Sequence, residues 1–325
     1  MVEKTTPILQ ARNLHLDIRS ENGTLPILRD ISFDLHPGEA LGIVGESGSG
    51  KTVACLSLLR LLPSPPALYR SGSVLFRGED LWQASEKALQ KVRGRRVAMI
   101  FQEALSALNP VLKAGEQAAE ALTLHSGKTR REAQREVLEL FARVGIPDPE
   151  RRFQQYPHQL SGGLQQRVMI AMALACRPEI LIADEPTTAL DVTIQVQILE
   201  LLKNLQRESG MSMIFISHDL GVIAEVCQRV LVMYAGQIVE SASIEQIFAS
   251  PQHPYTRLLL QTIPGLDKPR GALSPIPGQI PSPGALPPGC PFHPRCPEAA
   301  ERCRLDPPPP LSLPSGQEVR CWMRE

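Results

Sequence analysis

The run Gly45-Glu46-Ser47-Gly48-Ser49-Gly50-Lys51-Thr52 has the residue types and spacing of a loop that wraps phosphate. Its glycines let consecutive backbone N–H groups turn inward at the start of a helix, whose dipole favours anions. Lys51 is placed to neutralise β- and γ-phosphate oxygens, and the Thr52 hydroxyl to ligate Mg2+. A second glycine turn, Leu160-Ser161-Gly162-Gly163-Leu164-Gln165-Gln166-Arg167, opens a helical pattern running through Leu164, Val168, Met172 and Ala175. Ser161 and the two glycines again leave N–H groups pointing at an anion. One chain does not need two clamps for one triphosphate, so the pair predicts a nucleotide site shared between two subunits.

Between these glycine turns and beyond them lie the groups that hydrolysis requires. Ile180-Leu181-Ile182-Ala183 is an apolar strand ending in Asp184 and Glu185. Asp184 is placed to hold Mg2+ through its waters, and Glu185, one residue past the strand, to activate the attacking water as general base. Gln102 follows the apolar run Val97 to Phe101, and His218 follows Met213 to Ser217. Both therefore sit at strand C-terminal ends, where an open α/β sheet binds its ligand.

The elements that position these groups read as follows. Short apolar runs at Leu41 to Val44, Val97 to Phe101, Ile180 to Ala183, Met213 to Ser217 and Val230 to Tyr234 are predicted as buried strands. Helical periodicity separates most of them, which gives an α/β fold with a mixed, largely parallel sheet. Alternation in Leu14 to Ile18 and Ile31 to Leu35 predicts an antiparallel β piece at the front. From about 103 to 160 strand signals vanish, and Val137, Leu140, Phe141 and Val144 recur at helical spacing within Thr129 to Val144, the mark of an inserted helical subdomain. Residues 264–289 are rich in proline and glycine and read as an extended connector between a domain spanning 1–263 and a small module at 290–325.

Lys plus Arg and Asp plus Glu are equal at 34 each, so no overall field invites nucleic acid or an acidic membrane surface. The longest apolar run, Val168 to Cys176, falls short of the roughly 20 residues that span a bilayer, and Met1 to Thr6 lacks a signal-peptide core. A cytosolic chain is expected, reaching a membrane only through a protein partner. Cys55, Cys176 and Cys227 are scattered among apolar residues as small core side chains. Cys290, Cys296, Cys303 and Cys321 form C-x5-C-x6-C-x17-C, which in a reducing compartment suits a metal better than disulfides. Four thiolates can bind Zn2+ or a [4Fe–4S] cluster, or stay unligated, and His293 reads as a solvated loop histidine in preference to a substitute ligand.

With these pieces in order, residues from about Ile8 to Ile263 resemble the ATP-binding cassette (ABC) ATPases. The phosphate loop, Gln102, the Leu160-Ser161-Gly162-Gly163-Leu164-Gln165 signature, Asp184-Glu185, the loop Ala189-Leu190-Asp191 and His218 fall in that family's order. The resemblance implies ATP and Mg2+ as cofactors, Mg2+ being held by Thr52, Gln102 and Asp184. It implies a head-to-tail dimer in which Ser161 and Gly163 of one subunit meet the γ-phosphate on the other. Gln102 then links the nucleotide to the helical subdomain that grips a membrane permease. ATP favours the closed dimer and hydrolysis releases it, so coupling resides in closure. Where the family usually stacks an aromatic on adenine, Ser20 to Leu28 has none, and Leu25 offers an apolar face instead.

A finer resemblance is to the ATPases of dipeptide and oligopeptide importers and their nickel-type relatives. It rests on Tyr156-Pro157-His158-Gln159, Val232-Met233-Tyr234-Ala235-Gly236, His253-Pro254-Tyr255-Thr256 and the cysteine tail. It implies ATP hydrolysis driving peptide uptake at the cytoplasmic face of the membrane, and a [4Fe–4S] cluster, in preference to Zn2+, on the four tail cysteines. The implied partners are a second ATPase subunit (a paralogue in preference to an identical chain), two permease subunits and an extracytoplasmic substrate-binding protein. Nickel, glycan or antimicrobial-peptide uptake is the alternative cargo. A DNA-repair or chromosome-structure ATPase would need a long heptad insertion, and only 58 residues separate Gln102 from Ser161.

Overall fold

A computed structural model describes residues 6–21, 23–102, 107–188, 190–263 and 276–325. They fall into two compact units, 1–83 with 215–325, and 84–214. The first opens with β1 (Leu9–Ser20) and β2 (Gly23–Leu35), an antiparallel pair in which Leu9 faces Leu35 and Ile18 faces Leu25. Leu9, Leu14, Leu16, Leu28, Ile31 and Leu35 are buried along one side of it, which is the core face that the alternating pattern marks. β3 (Ala40–Val44) follows, buried at all five positions, and leads through the phosphate loop into α1 (Lys51–Leu58). β4 (Ala67–Phe76) then returns antiparallel to β1, and β5 (Glu79–Asp80) pairs with it.

The second unit carries α2 (Glu86–Val92) and β6 (Val97–Ile100), then a run of helices: α3 (Ala114–Ser126), α4 (Arg130–Arg143), α5 (Pro149–Phe153) and α6 (Gly162–Leu174). α4 starts at a reciprocal cap: the Thr129 hydroxyl accepts from Glu132 N–H at 3.4 Å and the Glu132 carboxylate from Thr129 N–H at 2.8 Å. Its buried stripe, Ala133, Val137 and Phe141, meets Phe153 of α5, the two rings lying 6.4 Å apart. Gly115 of α3 lies beneath Phe153, and a Cβ there would come within 2.1 Å of the ring. α3, α4 and α5 fall within 103–160, where helical spacing was expected. β7 (Ile180–Asp184) pairs parallel with β6, and α7 (Val192–Ser209) follows.

β8 (Ser212–Ser217) carries the chain back into the first unit, which continues with α8 (Leu220–Val226), β9 (Arg229–Tyr234), β10 (Gln237–Ser243), α9 (Ile244–Ala249) and α10 (Pro254–Leu260). β9 runs parallel to β3 and antiparallel to β10, so parallel and antiparallel strands are mixed as expected. The cysteine tail contains α11 (Glu301–Leu305), β11 (Leu311–Ser312) and β12 (Glu318–Val319). β12 extends the sheet by pairing antiparallel with β10, and Arg320 is ion-paired with Asp30 at 2.5 Å. Phe292, 1% exposed, stacks its edges against Tyr234 and Tyr255. A buried phenyl of this kind stabilises by about 1.5–3 kcal/mol, enough to dock a segment too short for its own core. Among the described residues no helix is long and apolar enough to cross a membrane.

Candidate nucleotide site

In the first unit, Gly45 leaves β3 so close to β9 that a Cβ would lie 2.3 Å from the Met233 carbonyl oxygen, and only glycine fits. Gly48 and Gly50 take φ of +83° and +99°, which turns the intervening N–H groups to one side. Gly50 then caps α1 with no side-chain bond and no acidic residue follows in the first turn, so no carboxylate competes with a bound anion. Lys51 is buried, and its Nζ donates to the carbonyls of Gly45 at 2.8 Å and Glu46 at 3.1 Å, which holds the ammonium across the loop. Ser49 is fully buried, whereas Ser47 and Gly48 are exposed at the mouth. Thr52 is half-buried one residue into α1, and His218 is exposed just beyond β8.

In the second unit, β7 delivers Asp184 buried and Glu185 half-buried. Glu185 takes φ of +42°, a left-handed conformation that costs a non-glycine residue about 1–2 kcal/mol and turns its side chain sharply off the strand direction. The Glu185 carboxylate oxygen Oε2 accepts from Gln102 Nε2 at 3.2 Å and from Thr188 Oγ1 at 2.9 Å. The expected base and the expected Mg2+-linked glutamine are thus brought together, and Thr188 is a partner that the spacing did not reveal.

The signature turn lies in the same unit. Ser161 caps α6 without a side-chain bond, and both it and Gly162 are exposed, leaving the first-turn N–H groups available to an anion. Gly163 packs on Ile194 of α7, where a Cβ would meet Cγ2 at 3.1 Å. Leu160 is buried. Gln165 is buried as well, its Nε2 donating to the carbonyls of Pro157 at 2.8 Å and Leu160 at 3.1 Å, so it holds the turn that presents Ser161. Leu190 approaches Gly162, Asp191 caps α7, and Ala189 lies outside the described residues, as do residues 103–106 and the connector residues 264–275.

The motif His253-Pro254-Tyr255-Thr256, at first only a family mark, has a physical role. His253 Nδ1 caps α10 by accepting Tyr255 N–H at 3.0 Å, and Tyr255 Oη accepts the Glu46 N–H of the phosphate loop at 2.9 Å. Burial pushes the His253 imidazole down to about 3, with Arg257 and Arg324 adding to the effect.

Cys290, Cys296, Cys303 and Cys321 line one narrow cavity of about 10 Å3, together with His253 and Phe292. All four are free of disulfides. Burial, helped by the neighbouring thiols, pushes Cys290 up to about 11, and Cys296 and Cys321 are also raised, chiefly by burial. The donor set is that of a four-thiolate centre, and among the described residues no group of three or more ligating side chains is arranged to hold a metal ion. The four expected cysteines are thus found as thiols lining one cavity. His293 Nδ1 lies 3.0 Å from the Cys290 carbonyl oxygen.

A phosphate-wrapping loop between a buried strand and a helix, in a chain that also carries a strand-end Asp-Glu pair, defines a P-loop nucleotide hydrolase. The family model for ABC transporters matches residues 28–188, and that for the oligopeptide/dipeptide transporter C-terminal region matches 239–303. A peptide import ATP-binding protein of Brucella melitensis is 52% identical over 318 residues, covering 98% of this chain and 95% of the relative. The dipeptide transport ATP-binding protein DppD of Bacillus subtilis is 48% identical over 318 residues with the same coverage. A dimeric ATP-binding cassette in a post-hydrolysis state, bound to ADP and Pi, superposes with a TM-score of 0.65 at 28% identity, covering 73% of this chain and 98% of that one. The chain belongs to the ABC transporter ATPases, in their oligopeptide/dipeptide branch. It is an ATPase that uses ATP with Mg2+ and couples hydrolysis to transport.

Proposed function

We propose that the chain energises a di- or oligopeptide importer from the cytoplasmic face of the membrane. The observation that carries the cargo class is the oligopeptide/dipeptide C-terminal region at 239–303, joined to an ATPase whose named relatives are peptide import proteins. In this reading Ser161 and Gly163 close on the γ-phosphate held by the phosphate loop of a second ATPase subunit, a paralogue of this chain. Two permease subunits and an extracytoplasmic binding protein complete the transporter. Lys51 and the loop amides would hold the phosphates, Thr52, Gln102 and Asp184 would hold Mg2+, Glu185 would take the proton of the attacking water, and His218 would serve as the switch residue of the catalytic set.

The decisive experiment reconstitutes the assembled complex and measures ATP hydrolysis against binding protein loaded with different cargo. Stimulation by di- or oligopeptide-loaded binding protein is expected. Stimulation by nickel or a glycan, with none by peptides, overturns the cargo.

A [4Fe–4S] cluster on Cys290, Cys296, Cys303 and Cys321 belongs to the same proposal. Its support is that the four thiols line one cavity. Such a group would tie the tail to the body of the first unit.

A further inference from the structure

Arg295 sits between Cys290 and Cys296, at the end of a single 3-10 turn, His293–Arg295. Its side chain is nonetheless only 5% exposed, because the guanidinium faces the phosphate loop. Nη1 donates to Glu46 Oε1 at 3.0 Å and Nη2 to Glu46 Oε2 at 2.9 Å, a two-point pairing that fixes the plane of the carboxylate. Nη1 also reaches Tyr234 Oη at 3.3 Å, and Nε donates to the Pro277 carbonyl at 2.7 Å. One guanidinium therefore joins the cysteine tail, the connector, β9 and the phosphate loop.

Glu46 is the second residue of that loop, and it is held at both ends. Tyr255 Oη accepts its N–H at 2.9 Å, Arg295 grips its carboxylate, and its carbonyl accepts from Lys51 Nζ at 3.1 Å. The connector follows the same anchor: Arg295 stacks its aliphatic stem by Gly278, and a Cβ on Gly48 would come within 3.9 Å of Ile280 Cγ2. A carboxylate beside a triphosphate repels it, and an unpaired carboxylate on a loop of inward N–H groups competes with the ligand for those donors. A buried guanidinium bound to both carboxylate oxygens removes both effects.

We propose that Arg295 is a positioning residue of the ATP site, which cancels the charge of Glu46 and fixes the phosphate loop, so that the cysteine tail is part of the nucleotide-binding apparatus. The proposal rests on the phosphate loop binding ATP and is independent of whether the tail carries a metal.

The test is a double-substitution cycle on the full-length chain, read by equilibrium binding of a fluorescent ATP analogue with Mg2+. Arg295→Gln is expected to raise Kd about tenfold, and to raise the KM for ATP in the assembled transporter while kcat at saturating ATP changes less than about twofold. Arg295→Lys, which keeps the charge and loses the two-point geometry, should fall between. The discriminating result comes from Glu46→Gln: adding Arg295→Gln to it should change Kd by less than about twofold, because the charge that Arg295 neutralises is gone. A general loosening of the tail predicts the opposite, since removing Glu46 would not restore packing. An unchanged Kd in a folded Arg295→Gln protein overturns the proposal, as does an equal loss of affinity with and without Glu46. Should Arg295→Gln not fold, Arg295→Lys run through the same cycle decides by the same criterion.

Discussion

Gln102 Nε2 donates to Glu185 Oε2 at 3.2 Å, so the glutamine expected to sense Mg2+ and γ-phosphate is bonded directly to the expected general base. Thr188 Oγ1 donates to the same oxygen at 2.9 Å, and Glu185 is held at a φ of +42° that few non-glycine residues adopt. Strain at a single carboxylate, over-determined by two donors, is the arrangement of a group whose direction matters more than its comfort.

Glu185→Gln tests that direction. An amide fills the same space and still accepts from Thr188, so the fold and nucleotide binding should persist. Proton abstraction should not, and hydrolysis is expected to fall about 100-fold or more. ATP should then trap the closed dimer, visible as a nucleotide-dependent increase in mass by light scattering. A folded variant that no longer binds ATP would contradict the assignment of Glu185 as base.

Gly45→Ala tests the close approach that shapes the phosphate loop. The added methyl would meet the Met233 carbonyl oxygen at 2.3 Å and the buried Ser49 Oγ at 2.8 Å, and the Met233 backbone leaves little room to yield. Overpacking of this kind costs about 1–3 kcal/mol, and part of it is relieved by displacing the loop. ATP affinity is expected to drop about tenfold, equivalent to about 1.4 kcal/mol. Wild-type affinity in the alanine variant would show that the loop is not set by its contact with β9.

The buried strands were legible because β3, β7 and β9 are near-continuous apolar runs, the pattern that burial on both faces imposes. α4 was legible because Val137, Phe141 and Val144 keep helical spacing behind the Thr129 cap. β4 was not: Arg70 and Gly72 interrupt its pattern, and it becomes a strand only through pairing with β1. The chemical residues of the nucleotide site were legible because anion binding needs glycine, lysine and carboxylate in fixed local order. What supports them was not. Arg295 and Glu46 are 249 residues apart, and Tyr255 reaches Glu46 across 209, so no local spacing announces either contact. The four cysteines were read as a ligand set; they line one cavity, and among the described residues no group is arranged to hold a metal ion, because sequence spacing alone does not fix how thiols on separate turns are placed.

The tail thiols give a compositional prediction. If they close around [4Fe–4S], protein purified without oxygen should be brown and should contain about four iron and four sulfide per chain. Cys303→Ser, which changes a buried member of the set, should reduce both together. Zinc at full occupancy with no sulfide would establish the mononuclear alternative, and a metal-free tail with four titratable thiols would remove the cofactor altogether.

His253 gives a prediction for pH. Its imidazole is buried, accepts Tyr255 N–H through Nδ1, and is pushed down to about 3, whereas in the unfolded chain it titrates at its ordinary value of 6.5. Above 6.5 the ring is neutral in both states and pH does not matter. As pH falls from 6.5 towards 3 the unfolded chain takes up a proton that the folded chain refuses, and stability is lost. Between pH 7.5 and 5 the loss from this one group is about 2 kcal/mol. Glu240, buried nearby and raised by burial, acts in the opposite sense, because acidification favours its neutral form. The informative quantity is therefore the difference between wild type and His253→Asn, which can still cap α10 but does not titrate. The variant should lose less stability on acidification than wild type, by about 2 kcal/mol over that range in denaturant unfolding. Parallel pH profiles for the two proteins would show that His253 does not remain neutral in the folded chain.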